Sequence, residues 1–270
     1  MTQFAAHGKR SGEAVLVDFE GGVLRIVLNR PDRLNALTTD VIEDVADVVT
    51  QAGEGTEVRV LVLSGAGRAF CSGADLGMKP EPGWDPPMDI VEAGNRLTRT
   101  LCDLPIPAIC AVQGAVAGIS VSFALACDFV LARTDAYFLL PFVNIGLMPD
   151  GGATAIVAAS IGRARALRMA MLAERLPAAD ALAAGMIAGV HEDLDEATNT
   201  LAARLAALPP NALARAKRAI NAATLGGLDD ALVTEREGQH HLLAAADFIE
   251  GVAAFGEKRK AVFGERSITL

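Results

Sequence analysis

Apolar positions in the first quarter of the chain follow two rhythms. Residues 15–19 and 23–28 are β-rich runs around Glu20-Gly21-Gly22, which predicts a hairpin. Asn29-Arg30-Pro31 ends it. Thr38 or Thr39 can cap a helix whose apolar positions Val41, Ile42, Val45, Val48 and Val49 share one face. Residues 58–63 are an uninterrupted apolar run, as expected of a strand covered on both sides. The order is β-β-α-β.

Residues 65–75 then form a Gly-rich loop. Residues 79–87 carry four prolines and the single tryptophan, Trp84, and are expected to be a mobile loop. Residues 90–101 have a helical pattern and 107–112 that of a strand. Residues 114–118 are expected to turn into a small-residue helix over 119–127. Short strands follow at 129–132 and 137–139, then a loop at 141–152. From Ala153 to Ala254 alanine-rich helical patterns dominate, punctuated by Gly162, Gly185 and Pro209-Pro210, with a last strand at 187–190. The change in pattern predicts an α/β core over residues 1–200 and a helical region over 201–270. No repeat of fixed length occurs, although β-β-α units recur loosely.

Charge and composition narrow the function. With 24 Lys+Arg against 33 Asp+Glu the net charge is −9, which argues against nucleic acid or an anionic membrane as partner. Aromatics at 4% leave little for base stacking. Cys71, Cys102, Cys110 and Cys127 sit in or beside apolar stretches, form no CxxC, and have no zinc-ligand spacing with histidine, so buried thiols and no metal are expected. Residues 1–13 are polar with no apolar core, so no signal peptide is expected, and no apolar stretch is long enough to span a bilayer. A cytoplasmic location follows as an expectation.

Two familiar motifs fail. Gly65-Ala66-Gly67 follows a strand, but Phe70 replaces the third glycine of a dinucleotide fingerprint. Gly118-Ile119-Ser120-Val121-Ser122 imitates a nucleophile elbow without its closing glycine, and His191 is the one histidine in a plausible following loop. His240-His241 belongs on a solvated helix face.

Two strand-to-helix corners rich in small residues remain, Ser72-Gly73-Ala74-Asp75 and Ala117-Gly118-Ile119-Ser120. Corners of this kind expose unpaired amides, and two amides converging on one oxygen would form an oxyanion hole. Spacing alone leaves open whether they converge or whether Gly73 and Gly118 simply permit tight turns. Asp150, in Pro149-Asp150-Gly151-Gly152, suits either chemistry or an N-cap of the following helix. Asp75 suits helix capping, and Ser122 a polar wall or a bond to its own helical turn.

Five segments in order resemble the crotonase, or enoyl-CoA hydratase/isomerase, superfamily: residues 29–37, 68–76, 111–128, 141–152 and 248–260. The resemblance spans nearly the whole chain. It implies a spiral of β-β-α units with C-terminal helices for a homotrimer or a hexamer built as a dimer of trimers. It implies an acyl-CoA thioester as ligand, coenzyme A being part of the substrate and no separate cofactor being needed. Ala74 and Ile119 would donate to the thioester oxygen, Ile119 where the family usually has Gly or Ala. Arg33, Phe255 and Lys258 match positions at the nucleotide end. Ser72, Gly73, Gly118, Ser122, Phe142 and Trp84 would border the substrate.

Family hydratases use two glutamates, and by register those positions are Ser122 and Phe142. Neither can move a proton as a glutamate does. Family isomerases that lack the second glutamate carry an aspartate where Asp150 stands. The match is nearest the epoxyphenylacetyl-CoA isomerase branch, with its Ile-Gly-Leu-x-Pro-Asp-x-Gly-Gly signature. The resemblance thus implies an isomerase with Asp150 as sole acid/base, its pKa raised by apolar neighbours such as Phe142, Leu147 and Met148. The alternatives are a hydratase of low activity, a non-catalytic acyl-CoA binder, or a dehalogenase-like nucleophilic aspartate.

Overall fold

The computed structural model describes residues 14–77, 80 and 83–264. The polar stretch 1–13 lies outside the described residues, as do Lys79, Glu81 and Pro82 of the Pro-rich loop. Strand β1 (Val15–Glu20) turns through Gly21 and Gly22, with φ of +59° and +80°, into the antiparallel β2 (Val23–Leu28). Two consecutive positive φ values match the right-handed twist of a two-residue hairpin, hence the two glycines. Helix α1 (Thr39–Glu54) follows. The Thr38 side chain caps it, accepting from the Val41 amide at 3.4 Å.

Next come β3 (Val60–Gly65), α2 (Asp89–Asp103), β4 (Ala108–Val112), β5 (Ala115–Ala117), α3 (Ser120–Ala126), β6 (Phe129–Arg133), β7 (Tyr137–Leu139) and α4 (Ala153–Ile161). With β8 (Leu176–Pro177) and β9 (Gly189–His191) they make two sheets. The larger has the order β1-β2-β3-β4-β6-β9, parallel after the first pair, and the smaller β5-β7-β8. Parallel bridges from Leu37 to Ala74 and from Cys71 to Val116 extend the smaller sheet. Each turn of the chain therefore lays one segment in the large sheet and one in the small, then adds a helix. This is a spiral of β-β-α units.

The stretch 114–118 is not a simple turn as expected. Gly114 and Gly118, at φ of +55° and +62°, bend the chain sharply on either side of three extended residues, which pair with β7 as β5. The strand expected over 58–63 runs two residues later, and the strand expected over 187–190 starts two residues later and ends one later, as β9. The brief β8 contains Pro177 and was invisible to a periodicity argument.

Both faces of the large sheet are covered, which is why β3 reads as continuously apolar. Leu24, Ile26, Leu61, Leu63 and Cys110 face α1 to α3 in the main core. Val23, Val60, Val62, Ile109 and Leu131 face the other way, onto Leu201, Ala202 and Leu205 of α7 (Leu194–Ala206). Residue 200, the expected change of region, thus falls inside a helix that packs on the sheet.

The remaining helices are α5 (Arg163–Leu172), α6 (Ala178–Ala183), α8 (Pro210–Thr224), α9 (Leu228–Leu243) and α10 (Ala246–Glu257). Helix α8 has no buried residue. Polar anchors hold it: Lys217 Nζ donates to the Leu101 carbonyl at 2.9 Å and pairs with Asp128 at 3.0 Å, and Asn221 donates to the Cys102 carbonyl at 2.9 Å. All four cysteines are buried and free, and burial pushes the Cys71 thiol up to about 11.

Candidate active site

The two small-residue corners abut. A methyl group on Gly73 would stand 3.0 Å from the Ala117 carbonyl oxygen and 3.5 Å from the Gly118 Cα. Gly73 has φ +97°, so a side chain there would be strained as well as crowded. The contact is locked by main-chain bonds from Cys71 N to Ala115 O and from Ala117 N to Cys71 O, both 3.0 Å. The buried Ser120 hydroxyl reaches both sides, 3.2 Å from the Cys71 carbonyl and 2.8 Å from that of Ala117.

In the parallel bridge to Leu37, Gly73 O accepts from Leu37 N at 2.9 Å and Asp75 N donates to Leu37 O at 2.8 Å. That pattern turns the intervening Ala74 amide to the opposite side. Neither the Ala74 nor the Ile119 amide has a protein acceptor among the described residues. Behind the corner, Asn35 Nδ2 donates to the carbonyls of Ala66, Ala69 and Phe70, and Gln113 to those of Gly65 and Gly67. Asp75 caps no helix, contrary to expectation, because the next helix starts at Asp89. Its carboxylate pairs with Arg30 at 2.9 Å.

Ile119 is buried, with its side chain directly against Gly94 of α2 and within 2.7 Å of where a Cβ on Gly151 would lie. Gly94 costs its helix roughly 1 kcal/mol relative to alanine and makes the room that a β-branched Ile119 occupies. Thr98, one turn on, donates to the Gly151 carbonyl at 2.8 Å. The loop carrying Asp150 is therefore held from α2 and from α3 together. Ser122, fully buried on α3, donates to the Asp150 carbonyl at 3.1 Å and not to its own helical turn.

Asp150 is buried, 8% exposed. Its Oδ2 accepts from Gln239 Nε2 at 2.7 Å, while Oδ1 has no hydrogen-bond partner among the described residues. Burial, reinforced by the nearby Glu235 charge against the Gln239 bond, pushes the carboxyl from an ordinary 3.8 up to about 7. It does not cap α4. Glu235 does that, accepting from Gly152 N at 2.6 Å, Thr154 N at 2.8 Å and Thr154 Oγ1 at 2.5 Å. Burial also raises the Glu235 pKa.

Glu235 and Gln239 escape a reading of motifs. They lie on one stripe of α9 with Leu228, Leu232 and Leu243, all buried. Two polar residues at apolar spacing on a helix are the signal that marks them.

The other expected site residues divide. Gly73, Gly118, Ile119, Ser122 and Phe142 are buried around the two corners; a methyl on Gly118 would lie 3.9 Å from the Phe142 ring. Ser72 and Ala74 are more open. Trp84 is half-buried and stacks on Phe248 of α10, with centroids 6.3 Å apart and planes 15° from parallel. Helix α10 seats Gly251 on Ile145 and Asp247 on Gly146, and so lies along the Phe142–Ile145 turn. Arg33, Phe255 and Lys258 are exposed and not brought into the buried cluster. Among the described residues no group of three or more His, Cys, Asp or Glu could hold a metal ion, and no helix is long and apolar enough to cross a membrane.

Abutting corners with unengaged amides, next to a carboxyl titrating near neutrality, make an α/β scaffold able to polarise a carbonyl and move a proton. Residues 18–266 match the family described as Enoyl-CoA hydratase/isomerase, and the chain belongs to that family, with the crotonase fold. It is similar to the 1,2-epoxyphenylacetyl-CoA isomerase of Escherichia coli (39% identity over 257 residues, 93% of this chain and 98% of that one). It is also similar to the short-chain-enoyl-CoA hydratase of Clostridium acetobutylicum (31% identity over 255 residues, 91% and 95%). The crystal structure of an enoyl-CoA hydratase from Mycobacterium avium subsp. paratuberculosis superposes with a TM-score of 0.87 at 47% identity, covering 93% of this chain and 99% of that one.

Proposed function

We propose that this family member is an acyl-CoA isomerase that shifts a double bond with Asp150 as its one acid/base. The observation that carries the reading is the release of Asp150 from structural duty. Glu235 caps α4, and Asp150 is left buried with one free oxygen and a pKa near 7. A carboxyl that titrates there can both accept and return a proton.

The chemistry needs no second acid. The Asp150 carboxylate takes the α-proton of a β,γ-unsaturated thioester. The Ala74 and Ile119 amides hold the enolate oxygen as charge develops, and the protonated Asp150 returns the proton at the γ-carbon. Coenzyme A leaves unchanged as part of the product, and no separate cofactor takes part. The two positions that the family's hydratases fill with glutamate support this reading. Phe142 is apolar and buried, and the Ser122 hydroxyl is engaged by the Asp150 carbonyl. Ser72 and Trp84 would border the acyl chain, and Arg33, Phe255 and Lys258 the nucleotide end of the coenzyme.

The helical region supports self-association into a trimer or a hexamer. Ile220 on α8 is 62% exposed, as are Met171 (65%) and Leu172 (63%) on α5. Apolar side chains this exposed suit burial against further copies.

The test is a panel of β,γ- and α,β-unsaturated acyl-CoAs assayed for double-bond shift and for water addition. Isomerisation that Asp150→Asn abolishes, with acyl-CoA affinity retained, is expected. Rapid hydration of crotonyl-CoA would replace the reading with a hydratase. Tight binding without turnover across the panel would replace it with a binder.

A further inference from the structure

Helix α9 reaches the Asp150 carboxyl from 89 residues along the chain, through Gln239. Gln239 is 1% exposed, and its Oε1 has no hydrogen-bond partner among the described residues. A buried amide that leaves its own oxygen unsatisfied gives up free energy for the sake of its other end. That end donates to Asp150 Oδ2 at 2.7 Å.

We infer that Gln239 is a positioning residue for the Asp150 acid/base, occupying Oδ2 so that Oδ1 is the oxygen that takes up and returns the proton. An amide N–H can only donate, so a proton arriving at the carboxylate finds Oδ2 already engaged and Oδ1 free. The same bond fixes the plane of the carboxyl, which would otherwise rotate about a terminal torsion with broad preferences. One oxygen in a fixed plane can then serve both the α- and the γ-carbon of a bound acyl chain.

The groups facing Asp150 leave this assignment to Gln239. Helix α9 contributes one other, Glu235, whose carboxylate is committed to Gly152 and Thr154. Helix α3 contributes Ser122 and α2 contributes Thr98. Neither titrates, and they bond the carbonyls of Asp150 and Gly151 rather than the carboxyl. The Glu92–Arg236 pair joining α2 to α9 is about half exposed.

The inference rests on the isomerase reading, and one experiment separates them. The acidic limb of kcat/KM for isomerisation of a β,γ-enoyl-CoA is measured in the wild type, Gln239→Leu and Gln239→Glu. Independently, the infrared band of the protonated Asp150 carboxyl, assigned by subtracting Asp150→Asn, is titrated in each protein without substrate. Gln239→Leu should move both midpoints upward by about one pH unit, the order expected on losing a hydrogen bond to a charged oxygen. Gln239→Glu should move them further, because two carboxyls then compete for one proton. It also preserves the side-chain shape, so the test survives a leucine variant that fails to fold. Lower activity with unmoved midpoints would overturn the inference and leave Gln239 as packing. If Asp150→Asn turns over like the wild type, the isomerase reading falls, while the infrared midpoint still decides whether Gln239 governs Asp150.

Discussion

Glu235 takes the helix-capping role that its neighbour Asp150 would fill from sequence. Its carboxylate accepts the Gly152 and Thr154 amides at 2.6 and 2.8 Å, leaving the Asp150 carboxyl, among the described residues, with a single bond, from Gln239. Replacing Glu235 by Ala strands the buried Gly152 amide and takes the acceptor from the more open Thr154 amide, and should cost about 1 to 3 kcal/mol in chemical denaturation. Glu235→Gln removes a negative charge that raises the Asp150 pKa, so it should shift the acidic limb of the rate profile to lower pH.

Asp150 should itself destabilise the fold above neutrality. Its folded pKa, about 7, exceeds the ordinary 3.8, so the folded state binds this proton more tightly than the unfolded chain does. The contribution is fully present below pH 3.8 and is lost as pH rises through 7. Asp150→Asn carries no charge to desolvate. Its melting temperature should therefore exceed that of the wild type above pH 7, by the equivalent of about 1 to 4 kcal/mol, with the gain fading toward pH 4. A variant equally or less stable at pH 8 would contradict the buried, raised carboxyl.

Gly94 and Ile119 should be energetically coupled. Alanine suits a helix interior better than glycine by about 1 kcal/mol, yet a methyl at Gly94 meets the Ile119 Cδ1. Gly94→Ala should thus destabilise, and Ile119→Ala in the same protein should recover part of the loss. A double-mutant cycle closing to zero would show that the two do not share the space.

Trp84, the single tryptophan, reports on the α10 side of the site. Phe248→Leu removes the stacked ring and should shift the Trp84 emission to the red as water reaches the indole. Emission unchanged in that variant would show that Phe248 does not shield it.

The hairpin, α1, the core strands and the 141–152 loop were legible in the residues because they depend on near neighbours. The hairpin needed Gly21-Gly22, α1 its apolar face, and the core strands their unbroken apolar runs. The abutting of Gly73 on Gly118 could be suspected from two small-residue corners but not placed, since the bridges that join them link separate turns of the spiral. Glu235 and Gln239 were out of reach for a different reason. They act on residues 81 to 89 positions away, and a motif confined to the 141–152 loop contains no trace of them. Their trace was in α9, where carboxyl and amide stand on the stripe of Leu228, Leu232 and Leu243. Asp75 was misjudged because a Gly-Ala-Asp corner resembles a helix start, whereas the chain runs on to Asp89 and leaves Asp75 to Arg30.

Exchange of the acyl-CoA α-hydrogen with deuterated solvent, followed by NMR, tests the central claim most directly, because it reports proton abstraction whether or not the double bond moves. The wild type should exchange this hydrogen in an unsaturated acyl-CoA, and Asp150→Asn should slow the exchange by roughly a hundred- to ten-thousand-fold while still binding the thioester. Exchange at the wild-type rate in Asp150→Asn would contradict the account, since some other group would then be removing the proton.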